Sequence, residues 1–141
     1  MVWWLGKTTH IRQNLKVKMQ NQNVKFKNDL KKRSVGLVLR IIKLIDYLAK
    51  ELVVGVICKQ LIRSATSIGA NVVEARGASS KKDFTNFFCY ALKSANETVY
   101  WLELLRDSGK ANNVDLSSLL QEANEIANML GSSVLTLKGK R

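Results

Sequence analysis

Five polar residues carry most of the side chains that could do chemistry in this 141-residue chain. Arg63, Ser67, Asn71 and Glu74 stand at i, i+4, i+8 and i+11, so a helix would bring them to one side. Glu97 lies between Ala95 and Val99 in a second apolar, helix-patterned stretch. Two carboxylates at such positions could exchange protons with a substrate or hold a metal ion. The ligand types argue against metal. The one histidine is His10, remote in sequence, and the Glu-x-x-His pairs of di-iron bundles are absent. No glycine-rich phosphate loop, nucleophile motif or zinc spacing occurs. No catalytic residue, cofactor or metal is therefore expected. Polar groups set between helices are expected instead to hydrogen-bond and fix register. Arg63 with Glu74 across a subunit boundary, and Glu97 with Asn71 inside one chain, are both open pairings.

The elements that must position these residues are helices. The chain has no proline, the residue that helix interiors tolerate least. Gln60 to Asp107 reads as two long helices joined by a polar turn. A helix over Val53–Arg76 is predicted from Val54, Ile57, Leu61, Ile62, Ala65, Ile68, Val72 and Ala75. Gly55 and Gly69 lie inside it, each costing about 1 kcal/mol against alanine. Small residues at four-residue spacing, Ala65 with Gly69 and Ser67 with Asn71, predict close packing on a neighbouring helix. Gly77 should stop this helix, and Ser80 with Asp83 resembles a capping box. A third helix is predicted over Lys81–Ser108, with Phe84, Phe87 and Phe88 read as core rather than as a base-stacking platform. A fourth begins near Asn113 or Asp115, and Gly131 is a candidate bend in it. A first helix over Asp29–Ala49 carries Val38, Ile41, Ile42, Ile45 and Leu48, widened by Leu37, Leu39 and Leu44. Four helices with short connections make an all-α, up-down-up-down bundle.

Residues 1–24 show no helical or strand period and read as a basic, disordered leader on a bundle domain of residues 25–141. Met19 offers a second start, so residues 1–18 are expected to be dispensable. The opening MVWWLG is too short for a secretory core region, and no stretch approaches the ~20 apolar residues of a membrane span. Cys58 and Cys89 belong to no CxxC motif and read as buried free thiols of a reducing cytoplasm.

The net charge is +12 and uneven. Residues 1–34 hold nine Lys/Arg and one acid, Asp29. Such an excess implies a polyanion, most simply RNA or DNA. Candidate phosphate contacts are Lys25, Lys27, Lys31, Lys32 and Arg33, with Lys81 and Lys82 on the polar turn. They would be salt-sensitive and not base-specific. The alternative is a protein-interaction scaffold with no nucleic-acid role.

LIRSATSIGANVVEARGASSKKDFTNFFCYALKSANETVYWLELLRDSG closely resembles the small four-helix-bundle proteins encoded in intervening sequences of bacterial 23S ribosomal RNA genes. The distinctive pieces are RSATSIGANVVEA, the SSKKDF turn, and ALKSANET followed by WLELL. The closing LGSSVLTLKGK looks like the branch of this family found outside rRNA genes. The likeness covers roughly residues 25–140. It implies a left-handed up-down bundle assembled as a homopentameric ring. It also implies kinship with the accessory proteins of diversity-generating retroelements, which are associated with nucleic acid beside a reverse transcriptase. No catalytic residues come with it. Ser67, Asn71, Glu74 and Glu97 resemble the family's fixed polar positions, which implies structural roles for them.

Overall fold

The computed structural model describes the backbone of residues 2–140 and the side chains of residues 6–140. Met1, Arg141 and the side chains of the apolar opening up to Leu5 lie outside the described residues. Four helices form: α1 (Val2–Tyr47), α2 (Leu52–Arg76), α3 (Lys81–Asp107) and α4 (Ser117–Leu137). No strand occurs among the described residues. Backbones approach between consecutive helices and between α4 and α1, which is the neighbour pattern of an up-down-up-down four-helix bundle.

The apolar spacing explains the assembly. Leu61, Ala65, Ile68 and Val72 of α2 are fully buried or nearly so, as are Phe88, Ala91, Ala95 and Leu102 of α3. These small and large residues interleave where the two helices pack most extensively. By length and hydropathy α2 could cross a bilayer, against the expectation that no stretch approaches that length. Its buried face is instead taken up by the core of this bundle. On α1 the core line is Leu30, Ser34, Leu37, Ile41, Leu44 and Leu48. Ile42 and Leu39, expected in the stripe, are exposed on the open side.

The helix ends match their chemistry. The Ser80 hydroxyl accepts from the Asp83 N–H at 3.0 Å, half of the expected box. The Asp83 carboxylate accepts from the Ser79 hydroxyl at 3.5 Å rather than closing back on residue 80. Gly109 takes φ +72, a left-handed turn that suits glycine after α3. The Asp115 carboxylate accepts from the Ser117 N–H at 2.9 Å and starts α4. Helix α4 runs through Gly131 without interruption.

The largest difference is at α1, which begins at Val2 rather than Asp29. The stretch expected to be a disordered leader is helical from residue 2. Every residue from Gly6 to Lys25 is exposed, and Phe26 and Lys27 are the first half-buried side chains. Apolar periodicity registers burial, and among the described residues no side chain of the arm is buried. Its helicity rests on good helix formers such as Gln13, Lys16, Lys18, Met19 and Gln20, with no proline to stop it.

The two glycines of α2 differ. A Cβ on Gly69 would sit 3.4 Å from the Ser34 Cβ, so the space between α1 and α2 there admits a side chain no larger than alanine without movement. A Cβ on Gly55 would meet nothing within 4 Å. Gly55→Ala is therefore expected to raise stability by about 0.5–1 kcal/mol, read as a few degrees in thermal unfolding. A lower melting temperature would show that Gly55 is needed against another molecule.

Candidate nucleic-acid interface

The polar set on α2 and α3 is assembled as structure. Arg63 pairs with Glu97 of α3 within one chain. The Trp101 indole N–H also donates to the Glu97 carboxylate, at 3.3 Å. The Asn71 amide donates to the Ser67 carbonyl at 2.8 Å and to its hydroxyl at 3.2 Å. Within the chain Glu97 does not pair with Asn71, and its carboxylate is taken by Arg63 and Trp101 instead. Glu74 is exposed at the lip of a groove between α1 and α2. The Ser94 hydroxyl donates to the Ser67 hydroxyl at 3.0 Å, and the Thr98 hydroxyl donates to the Ser64 hydroxyl at 3.0 Å. Ser64 and Thr98 are fully buried, and they were not among the residues expected to matter. Their signal was present in the spacing. Ser94 and Thr98 flank Ala95 on the core side of α3, as Ser64 flanks Ala65 on α2. Among the described residues no group of His, Cys, Asp or Glu could hold a metal ion. Burial pushes the Cys58 thiol above its ordinary range, away from a reactive thiolate.

Of the candidate phosphate contacts, Arg33 is otherwise engaged. Its Nε donates to one Glu122 oxygen at 2.8 Å and its Nη2 to the other at 2.9 Å. Glu125 is a second carboxylate partner, and Nη1 lies 3.1 Å from the Met129 sulfur. Arg33 is thus a clamp between α1 and α4, the most thinly packed seam of the bundle. Its hydrogen bonds hold the Glu122 carboxyl below the ordinary range, against a smaller opposing effect of burial. A carboxyl with a lowered folded-state pKa stabilises above its unfolded pKa and loses that contribution as pH falls through the folded value. Acidification should therefore weaken this seam. The stability difference between wild type and Glu122→Gln, measured by thermal unfolding, should be largest near neutral pH and shrink toward pH 3. A constant difference would remove the clamp's role in acid sensitivity.

The other cations converge. The Lys27 ammonium lies 4.5 Å over the Phe84 ring. Arg76, at the end of α2, donates to the Asn28 side chain at 2.6 Å. These contacts place the α2–α3 turn, with exposed Lys81 and Lys82, beside residues 27 and 28 of α1. Leu137 at the end of α4 lines a cavity of about 620 Å³ together with Phe26, Lys27, Phe84 and Met129. Lys138 and Lys140 follow directly. Lys25, Lys27, Arg76, Lys81, Lys82, Lys138 and Lys140 thus share one end of the bundle, and the arm of α1 projects from it. The acids on these turns, Asp29, Glu74 and Asp83, are fewer. Lys31 and Lys32 sit one turn further along α1 and are exposed, Lys31 beside the groove that Glu74 borders. The positive end of α3 opens at the same place. Phe84 cannot offer an open ring face there, since Lys27 covers it on one side and Phe88 stacks at 4.6 Å.

Helix count, topology and the absence of any ligand cluster among the described residues define a small all-α four-helix-bundle protein with one strongly basic end. Within that class the chain belongs to the 23S rRNA-intervening sequence protein family, whose model matches residues 27–132. It is also similar to a crystal structure of a protein of unknown function from the S23 ribosomal protein family of Bacteroides thetaiotaomicron. The two are 39% identical with a TM-score of 0.68, over 77% of this chain and 97% of that one. No match was found among curated proteins. The family match begins at the first half-buried turn of α1, so the exposed arm lies outside it.

Proposed function

We propose that this chain is a non-enzymatic, homo-oligomeric helical bundle that binds RNA or DNA through its basic end, in the cytoplasm. The observation that carries this reading is the convergence of Lys25, Lys27, Lys81 and Lys82 with Arg76, Lys138 and Lys140 at the root of an arm without an acid before Asp29. Assembly is supported by a second surface. Val35, Leu39 and Ile42 of α1 and Val73 of α2 are exposed. Val35, Leu39 and Val73 border a groove of about 460 Å³ that Ser34 and Gly69 also line. A second copy seated there would cover apolar surface that a monomer leaves in water. A pentameric ring, as the resemblance implies, would gather five basic ends, so weak single contacts would sum to firm binding. The same groove favours the second reading, a scaffold that docks a helix of another protein such as a reverse transcriptase.

The test is binding of labelled structured RNA and duplex DNA at low and physiological salt, with oligomer mass taken on the same sample. Affinity should fall steeply with salt, with a logarithmic slope of about 0.9 per phosphate contact on a duplex. Replacing Lys81 and Lys82 together by glutamine should weaken binding about tenfold and reduce the slope by about 2. An oligomer of intact mass that binds neither nucleic acid at low salt would leave the scaffold reading in its place.

A further inference from the structure

The arm of α1 contains a seven-residue repeat. Gln13-Asn14 is followed by Val17-Lys18, and Gln20-Asn21 by Val24-Lys25. Seven residues are nearly two turns of α-helix, so each residue lies almost directly above its counterpart, about 10.5 Å along the axis. The repeat therefore builds one long face. Its middle carries the amides of Gln13, Asn14, Gln20 and Asn21 with Val17 and Val24 between them. Lys18 and Lys25 run along one flank, and Lys16 and Lys27 along the other. All of these but Lys27 are exposed. Among the described residues, none hydrogen-bonds to the four amide side chains. No acid occurs before Asp29.

Resting on the nucleic-acid reading above, we infer that this arm is a free-standing recognition helix that lies in the major groove of duplex DNA, with its lysine flanks on the phosphates and its amides on base edges. The shape and chemistry agree. A helix with its side chains is about 10–12 Å across, and the major groove of B-form DNA is about 12 Å wide. Asparagine and glutamine are the side chains that pair two-fold with adenine in that groove, and an apolar side chain suits the thymine methyl. The major groove of A-form RNA is too deep and narrow for side chains to read. The arm continues the bundle's first helix, because α1 is one unbroken helix from Val2 to Tyr47. The opposite side of the arm carries a line of Ile11, Leu15 and Met19, which would suit a second arm. That occupant is disfavoured, since two arms rich in lysine and free of acids repel each other.

The experiment uses the full chain with pools of random-sequence 20-base-pair DNA and RNA duplexes, across a salt series, with rounds of selection on the DNA pool. The DNA pool should bind at least tenfold more tightly than the RNA pool, and selection should enrich a short A·T-containing motif. Replacing Lys18 and Lys25 by glutamine should weaken DNA binding about tenfold and lower the salt slope by about 2. Replacing Gln13, Asn14, Gln20 and Asn21 by alanine, which keeps the arm helical, should preserve the slope and abolish the enriched motif. RNA bound as tightly as DNA would overturn the inference. So would wild-type binding by both arm variants while the Lys81/Lys82 variant fails, and that pattern would leave the basic end standing. A lysine variant that changes oligomer mass but not DNA affinity would assign the arm to self-association. Binding to neither pool at low salt would sink both this inference and the reading on which it rests.

Discussion

Replacing Phe88 with alanine is expected to lower the stability of the bundle by about 3–5 kcal/mol. Phe88 is 2% exposed and stands among the largest fully buried side chains of the core. Its ring stacks on Phe84 with centroids 4.6 Å apart and planes 25° from parallel. Truncation would remove the transfer energy of a phenyl ring and leave a hole that the rigid α2–α3 packing cannot fully close. The consequence should reach the surface. Phe84 is held between Phe88 and the Lys27 ammonium, so an unsupported Phe84 would let Lys27 drift from the basic end. Urea unfolding and the salt slope of nucleic-acid binding together check this. Phe84→Leu is the informative partner, since Phe84 is only half-buried and keeps an apolar side chain. It should cost much less stability yet also release Lys27. A Phe88→Ala protein within about 1 kcal/mol of wild type would show that the end of the bundle repacks freely.

What the sequence disclosed and what it hid follow one physical division. The α2–α3 hairpin was legible because its core face repeats at helical spacing over nearly fifty residues and its turn carries glycine and serine. The arm was hidden because its apolar residues, Val17 and Val24 on one side and Ile11, Leu15 and Met19 on the other, form no single buried stripe. The engagement of Arg33 was hidden for a different cause. Its partners Glu122 and Glu125 lie about ninety positions away in the chain, and no local rule brings a cation to them. A run of Lys31, Lys32 and Arg33 looks uniform, yet only the third points across the α1–α4 seam. Arg63 shows the same limit. Its spacing with Glu74 suggested a shared side of α2, but the carboxylate that reaches it is Glu97 on the next helix. Ser64 and Thr98 are not legible as a pair because a helix hydroxyl can satisfy itself on its own backbone, as Ser64 does on the Leu61 carbonyl. Only the paired helix shows that they also meet each other.

Gly69→Leu tests the approach of α2 to α1 at Ser34 and the surface beside it. Alanine at this position would place its Cβ in ordinary contact with the Ser34 Cβ at 3.4 Å. It would also gain helix propensity, so Gly69→Ala should leave stability level or slightly raised. Leucine adds a branched side chain with two destinations. Turned inward, it meets Ser34, which is buried and fixed by its hydroxyl donating to the Leu30 carbonyl at 2.8 Å. Separating α1 from α2 to admit it would cost about 1–3 kcal/mol. Turned outward, it fills the groove lined by Val35, Leu39 and Val73 and takes the place of whatever docks there. Either destination has a readout. The first lowers the melting temperature and keeps oligomer mass, and the second keeps the fold and lowers the mass. Light scattering and thermal unfolding on Gly69→Ala and Gly69→Leu side by side separate the two. A leucine variant with unchanged stability and unchanged mass would mean that α1 and α2 need no close approach and that the groove is not an assembly surface. The small residues of α2 would then be left without the packing role their spacing implies.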